Sequence, residues 1–198
     1  MTAEQQSSDV AIPPGSATLE LHIGELRQLF NSMDPAPFRD RDLDPKAEEF
    51  IVEWGQEQRS NVPLALIVHL DRRDSTFAES SVLGQSVREF FTARALATRQ
   101  KLHQLLGIGR ISLAIGLAFL GASIVLGDLI VALLSRERLG GILQESLLIG
   151  GWVAMWRPIE IFLYDWWPIR AEAKLYDRLG SMTVRIMHDT SDVTSPTV

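Results

Sequence analysis

The sequence contains no cysteine. Disulfide bridges, thiolate metal sites and cysteine nucleophiles are therefore excluded, and the absence suits a protein that faces the reducing cytosol. The chain also has fewer basic than acidic residues, 19 Lys and Arg against 25 Asp and Glu, so its net charge is −6. This balance argues against nucleic acid as a partner.

The amino terminus lacks the features of a signal peptide. The stretch MTAEQQSSDVAIPPGS has neither a basic start nor an apolar core. Its polar composition predicts a disordered tail over residues 1–16, and residues 189–198 predict a second tail for the same reason.

One long apolar run dominates the second half of the chain. Residues 111–134 read ISLAIGLAFLGASIVLGDLIVALL and hold a single ionisable group, Asp128. About 20 such residues cross the hydrocarbon core of a bilayer. A chain of this size is too small to enclose so apolar a helix on all sides. The run therefore predicts a first transmembrane helix over residues 108–134, preceded by a juxtamembrane helix over residues 80–107.

A second apolar run, GILQESLLIGGWVAMW, predicts a second transmembrane helix over residues 141–157. Arg157 and Pro158 favour an end to the span there, because arginine can extend to the headgroups and proline suits the start of a new helix. Residues 158–181 would then form interfacial and cytosolic helices. The alternative is one long kinked helix that carries Arg157 and Glu160 at membrane depth.

Several side chains are candidates for roles in or beside the membrane. Four of the five tryptophans flank Arg157, as an interfacial belt would. These membrane-interface candidates are Arg157, Trp152, Trp156, Trp166 and Trp167. Small residues repeat every four positions on both spans, which predicts close helix packing. These helix-packing candidates are Ala114, Ala118, Ala122, Ser146, Gly150 and Ala154. The ionisable candidates for an intramembrane position are Asp128, Glu145 and Glu160, which would suit transport or proton handling.

The remaining sequence predicts a small cytosolic α/β domain over residues 17–79. Residues 18–23, TLELHI, and residues 182–188, MTVRIMH, alternate as half-buried strands do, and residues 62–70, VPLALIVHL, are nearly all apolar. The long link between the first two strands favours a parallel crossover, and the 182–188 strand would complete their sheet. The fold class is thus α+β, with a cytosolic sheet and helices plus an antiparallel two-helix transmembrane hairpin.

The helix after DLD in this domain has clear boundaries and one apolar side. Asp44 is placed to cap it and Pro45 suits its first position. Its apolar positions recur at helical spacing, which predicts one buried face. Those positions are Ala47, Phe50, Ile51 and Trp54.

Few residues in the sequence suit a metal or a catalytic site. His22 and His69 lie on two predicted strands and would meet if the strands paired in register, which makes them weak candidates for a metal or catalytic pair. Asp40, Asp42 and Asp44 match the start of a calcium loop, but Pro45 and Ile51 depart from the rest of that motif. We therefore assign no metal, cofactor or catalytic residue.

Basic residues set the expected orientation. Four precede the first span, two lie in the connecting turn and four follow the second span, so both termini are expected in the cytoplasm. In chain order they are Arg94, Arg99, Lys101 and Arg110, then Arg136 and Arg138, then Arg157, Arg170, Lys174 and Arg178.

Two segments carry a resemblance to a known family. LFNSMDPAPFRDRDLDPKAEEFIVEW (29–54) and GGWVAMWRPIEIFLYDWWPIR (150–170) resemble a family of uncharacterised bacterial inner-membrane proteins, and the similarity covers most of residues 17–188. The resemblance implies a small cytosolic domain on a two-helix hairpin in the bacterial inner membrane. It implies no activity and no catalytic residue.

The function that these patterns favour is a membrane-anchored interaction or regulatory module, not an enzyme. Its expected partners are membrane lipid and either another protein or a second copy of the chain. Two alternatives stay open: a small subunit of a transport or channel assembly, and a membrane-tethered enzyme or metal site that uses His22 and His69.

Overall fold

The computed structural model describes residues 11–31, 42–70, 77–133 and 138–188. The elements run in the order β1 (Ala17–Ile23), a 3₁₀ helix (Leu26–Leu29), α1 (Pro45–Glu57), β2 (Leu64–Leu70), α2 (Phe77–Leu133), α3 (Arg138–Ala154), α4 (Trp156–Glu160), a π-helical segment (Ile161–Asp165), α5 (Trp166–Gly180) and β3 (Thr183–His188). Of the two predicted tails, residues 1–10 and 189–198 lie outside the described residues, as do Asp40 and the turn basic residue Arg136.

The chain divides into two compact units. The α/β unit comprises Met1–Leu96 and Ala173–Val198, and the helical unit comprises Ala97–Glu172. The first part of α2 thus belongs to the α/β unit, because Leu83, Val87 and Phe91 are fully buried in its core. The α/β domain predicted over residues 17–79 does not include these three core side chains.

The three strands form one parallel sheet in the order β1-β2-β3. Strands were expected at residues 18–23, 62–70 and 182–188, and all three are present with ends that differ by two residues at most. The α+β fold with a small sheet is therefore confirmed.

The connections between the strands place the helices on one side of the sheet. Each connection steps to the next strand in the same direction, and parallel crossovers are almost always right-handed, so both leave their helices on the same face. The core agrees with this, because Leu19, Leu66 and Val184 of one face pack with side chains from α1, α2 and α5. Side chains of the opposite face take no part in that core cluster.

Helix α1 begins as the sequence predicts. The Asp44 side chain accepts a hydrogen bond from the Lys46 backbone N–H at 3.0 Å, and Pro45 is the first helical residue. The buried line runs through Ile51 and Gly55, and a Cβ added to Gly55 would lie 3.2 Å from Leu175 Cδ1.

The expectation that Phe50 lies on the buried face of α1 is wrong. Its side chain is 52% exposed, whereas the neighbouring Ile51 is fully buried. Ala47 and Trp54 are partly buried and pack against the core cluster. Because successive residues turn by about 100° around a helix, a face centred on Ile51 leaves Phe50 at its edge.

Helix α2 is continuous over 57 residues, from Phe77 to Leu133. Gly107 and Gly109 lie at the predicted boundary between the juxtamembrane helix and the first span, and the helix runs through both of them. A Cβ added to Gly107 would meet nothing within 4 Å, so no close approach requires glycine there.

The helical backbone also continues through Pro158, where a new helix was expected to begin. A single turn residue, Met155, separates α3 from α4, which starts at Trp156. Because proline has no N–H, Pro158 leaves the carbonyl of Ala154 without its usual helical donor. The neighbouring bond from Ile159 N–H to the Met155 carbonyl is kept at 3.3 Å. The helical backbone is thus nearly continuous from α3 to α5, with one turn residue at Met155, as in the alternative to separate interfacial helices.

Candidate functional site

Two helical stretches are long and apolar enough to cross a membrane, Val82–Leu133 and Gly140–Gly180. Length and composition alone would also fit the core helix of a soluble protein. Only 17% of the most apolar window of each stretch is buried inside the structure, however, whereas a core helix is mostly buried. Many bulky apolar side chains of the helical unit are exposed instead. They include Ile111, Ile115, Leu117, Phe119, Val125, Leu133, Ile149, Trp152 and Val153. Exposed apolar surface of this extent is typical of contact with lipid or with another protein.

Within the helical unit, α2 approaches α3 closely at glycines. A Cβ added to Gly116 would lie 2.9 Å from Met155 Sδ and 3.2 Å from the carbonyl oxygen of Ala154. This oxygen is the one that Pro158 leaves without a helical donor. The absence of a side chain at Gly116 therefore lets α2 pack directly against the backbone of Ala154.

The same close approach recurs along α2. A Cβ added to Gly151 would lie 2.7 Å from Leu120 Cδ1, and one added to Gly127 would lie 2.9 Å from Gln144 Cγ. From Gly116 to Leu120 to Gly127, the contacted residue on α3 falls from 154 to 151 to 144.

The helix-packing residues predicted from the small-residue repeat lie mostly elsewhere. Only Ala154 is at the contact; the other five are exposed, and a Cβ added to Gly150 would meet nothing within 4 Å. Those five are Ala114, Ala118, Ala122, Ser146 and Gly150. The contact uses Gly116 and Gly151, whereas the candidates nearest to them in sequence were Ala118 and Gly150, because the helices are rotated relative to the predicted faces.

The ionisable candidates differ in their surroundings. Asp128 on α2 accepts a hydrogen bond from the Gln144 side chain of α3, with 3.1 Å between Nε2 and Oδ1. Such a polar contact between two helices stabilises their packing in lipid. Glu145, the next residue on α3, is exposed.

Arg157 forms a small charged cluster beside Pro158. Its Nη1 lies 2.9 Å from Glu160 Oε2 and 3.4 Å from Asp165 Oδ2. The three side chains are 61%, 42% and 31% exposed in that order, so the charges are paired but not enclosed by protein. The π-helical segment Ile161–Asp165 brings Asp165 to this position, and such segments are frequent at functional sites.

We predict that Arg157→Lys and Glu160→Ala each change the free energy of unfolding of the helical unit by about 1 kcal/mol or less. Exposed ion pairs are typically worth about 0.2–1 kcal/mol, and lysine retains the positive charge. Unfolding in mixed detergent micelles would measure the change. If Glu160→Ala costs several kcal/mol and an apolar replacement of both residues restores stability, the pair is buried in the native membrane and the prediction is wrong.

The tryptophans on either side of Pro158 include one with defined polar contacts. Trp152, Trp156 and Trp167 are exposed. Trp166 is partly buried, donates from Nε1 to the Phe162 carbonyl at 2.8 Å and lies under Arg170, whose Cζ is 5.5 Å from the ring centroid. The assignment of these tryptophans to a membrane interface stays a prediction.

In the α/β unit, the strand register brings His22 and His69 together. The two residues are direct partners across β1 and β2, and their rings stack with centroids 4.4 Å apart and planes within 5°. Nε2 of His69 lies 3.7 Å from Glu20 Oε2, which is too long for a hydrogen bond but close enough for an ion pair once the imidazole is protonated.

The stacked geometry does not suit a shared metal ion. An imidazole binds a metal in the plane of its ring at about 2.0–2.1 Å from nitrogen, and two parallel stacked rings have no common plane in which one ion can lie. Among residues 11–31, 42–70, 77–133 and 138–188, no group of three or more His, Cys, Asp or Glu side chains is placed to hold an ion. What the register does provide is a stacked pair of imidazole rings on one strand face.

The alternation of the strands places this pair on the sheet face that lies opposite the helical core. The same face carries Glu20 on β1 and Arg185 on β3. Sequence patterns pointed to the two histidines but missed this combined surface, because the pairing register that unites its residues is set by the tertiary fold. Comparison of the chain with protein-family models, curated proteins and solved structures gives no match.

Proposed function

We propose that this protein is a membrane-anchored interaction module of the bacterial inner membrane. In this proposal the helical unit spans the bilayer as an antiparallel two-helix hairpin, and the α/β unit lies in the cytoplasm and binds a protein partner. The observation that carries the proposal is the extent of exposed apolar side chain on two helices long enough to span.

The contacts between α2 and α3 support the antiparallel hairpin. Residue numbers rise along α2 while they fall along α3, from Gly116 beside Ala154 to Gly127 beside Gln144. Helices joined by a short connection pack as antiparallel neighbours, and glycine allows the close backbone approach that favours association in lipid. The Asp128–Gln144 hydrogen bond adds a polar contact between them.

The distribution of basic residues supports the orientation. Four precede the first span, four follow the end of the second and two lie between the spans, so the positive-inside tendency favours a cytoplasmic location for both ends of the chain. The resemblance of residues 29–54 and 150–170 to bacterial inner-membrane proteins favours the same location.

Extraction of isolated membranes tests whether the protein is integral. We expect it to stay in the membrane pellet through alkaline carbonate and high salt, and to be released only by detergent. A peripheral protein and an integral protein of the same cells, followed on the same fractions, provide the controls. Release by carbonate would contradict the proposed hairpin.

A further inference from the structure

The charged cluster beside Pro158 combines one guanidinium with two carboxylates. Arg157 Nη1 donates to Glu160 Oε2 at 2.9 Å and lies 3.4 Å from Asp165 Oδ2. These contacts use one nitrogen of the guanidinium and one oxygen of each carboxylate, and all three side chains are at least partly exposed. The cluster therefore offers solvent or a ligand both donors and acceptors, with one negative charge in excess.

Asp165 reaches this cluster through a change in helix geometry. Successive residues of a regular α-helix turn by about 100°, so Tyr164, seven positions after Arg157, would lie on the line of the arginine. The segment Ile161–Asp165 is π-helical instead, and its wider turn holds one additional residue. That residue moves Asp165 onto the line and leaves Tyr164 69% exposed. The effect of this rare geometry is to add a second carboxylate to the arginine.

Contacts with α2 place the cluster at the edge of the long apolar run. A Cβ added to Gly109 would lie 2.9 Å from Ile161 Cγ2 and 3.2 Å from Phe162 Cζ. The turn that follows Glu160 thus packs beside Gly109, just before the apolar run begins at Ile111. In the proposed hairpin, this is the level of the lipid headgroups.

We propose that the cluster binds the headgroup of a phospholipid that joins a phosphodiester to a primary ammonium group, as in phosphatidylethanolamine. The inference rests on the proposed function, because a headgroup meets the cluster only if the helical unit spans the membrane. The guanidinium of Arg157 binds the phosphate oxygens, for which its planar set of donors is suited. The second oxygens of Glu160 and Asp165 accept N–H donors from the ammonium group.

Charge and donor chemistry distinguish this headgroup from the alternatives. A purely anionic headgroup would bring a further negative charge beside two carboxylates, and like charges at short distance repel. A choline headgroup is zwitterionic, but its quaternary ammonium has no N–H to donate, and such groups are recognised by the faces of aromatic rings. An ammonium with N–H donors matches the two carboxylates, while the adjacent phosphate matches the arginine.

Lipid binding to the full-length protein tests the proposal. The wild-type chain is purified in mild detergent and supplied with phospholipids of identical acyl chains, and native mass spectrometry counts the bound lipid. We expect phosphatidylethanolamine to bind about tenfold more tightly than phosphatidylcholine or phosphatidylglycerol, because only its ammonium donates charge-assisted hydrogen bonds. The monomethyl and dimethyl ethanolamine lipids should bind with intermediate affinity, because each methyl group removes one N–H donor.

Isosteric amides separate the ammonium contact from the phosphate contact. Glu160→Gln combined with Asp165→Asn keeps the side-chain shapes but removes both anionic acceptors, so the ethanolamine and choline lipids should then bind within about twofold of each other. Arg157→Gln should weaken both lipids equally, because both carry the same phosphodiester. Glu145→Gln, an exposed isosteric change on α3, is the matched control and should keep the wild-type preference.

The soluble headgroup distinguishes a lipid from a soluble ligand. Glycerophosphoethanolamine carries the same phosphodiester and ammonium without acyl chains, and it should not displace the lipid at equal concentration. Displacement would overturn the assignment of the ligand to a membrane lipid.

Two further results would overturn the inference: a wild-type chain that binds the ethanolamine, choline and glycerol lipids equally, or a preference for ethanolamine that the double amide variant retains. Either result leaves the proposed function standing if the protein resists carbonate extraction. Release by carbonate would instead overturn the proposed function.

Discussion

Replacing Gly151 with alanine should destabilise the packing of α2 against α3 by about 1–3 kcal/mol, the usual range for overpacking a close contact. The added Cβ would lie 2.7 Å from Leu120 Cδ1 and 3.3 Å from Leu120 Cα. The Leu120 Cδ1 methyl group can rotate away from the added Cβ. Leu120 Cα can move only if the whole of α2 shifts. Gly151→Leu should cost more for the same reason. The free energy of unfolding in mixed detergent micelles measures both changes.

The adjacent glycine provides the control. A Cβ added to Gly150 meets nothing within 4 Å, so Gly150→Ala should be neutral or stabilise the helix by up to about 1 kcal/mol, since alanine is the better helix former. If alanine at Gly150 and at Gly151 lowered the free energy of unfolding equally, α3 would not pack against α2 through the face that contains Gly151. A loss at Gly150 alone would favour the face predicted from the small-residue repeat.

Replacing Phe91 with alanine should cost the α/β unit about 3–5 kcal/mol, the range for removing a buried phenylalanine ring. Phe91 is fully buried, packs edge-on against Phe90 and lies 6.3 Å from the Tyr176 ring. A typical domain is stable by only about 5–15 kcal/mol, so this single change removes a large share of its stability. Hydrogen exchange at the β2 amides should accelerate by roughly a hundredfold to a few thousandfold.

Phe50→Ala is the matched control for this measurement. The same ring is removed, but Phe50 is 52% exposed, and surface substitutions usually change stability by about 0.5 kcal/mol or less. Exchange at β2 should therefore be almost unaffected. If Phe50→Ala accelerated exchange as much as Phe91→Ala, the assigned core of the α/β unit would be wrong.

The sheet could be predicted from the sequence because its strands carry local signals. Alternation in TLELHI and MTVRIMH and the apolar run in VPLALIVHL mark the strands, and the long links between them favour parallel pairing. The pairing of His22 with His69 required only that the two strands be neighbours in matching register. The cap at Asp44 was equally predictable, since capping chemistry depends on adjacent residues.

The contact face of the helices could not be predicted in this way. Small residues occur on more than one side of α2 and α3, so periodicity alone cannot choose between Ala118 and Gly116, or between Gly150 and Gly151. The choice depends on the rotation of each helix about its axis, which is set by tertiary contacts such as Gly127 with Gln144. The exposure of Phe50 likewise depends on the rotation of α1 about its axis, which is set by its contacts with the core.

The helical backbone around Pro158 shows another limit of local rules. Proline disfavours a helical residue before it, which predicted a helix start, yet neighbouring contacts can support a helix that continues through a proline. Here the turn at Met155 and the π-helical segment Ile161–Asp165 lie on either side of Pro158. Neither feature has a clear local sequence signal.

The most direct test of the membrane hairpin is the labelling of single cysteines, because the natural chain contains none. Spheroplasts carrying either Glu53→Cys or Arg138→Cys are treated with a membrane-impermeant maleimide, before and after permeabilisation. With the α/β unit in the cytoplasm and the connection between the spans outside, Arg138→Cys should react in intact spheroplasts and Glu53→Cys only after permeabilisation. Labelling of Glu53→Cys in intact spheroplasts, or protection of Arg138→Cys until they are opened, would contradict the account.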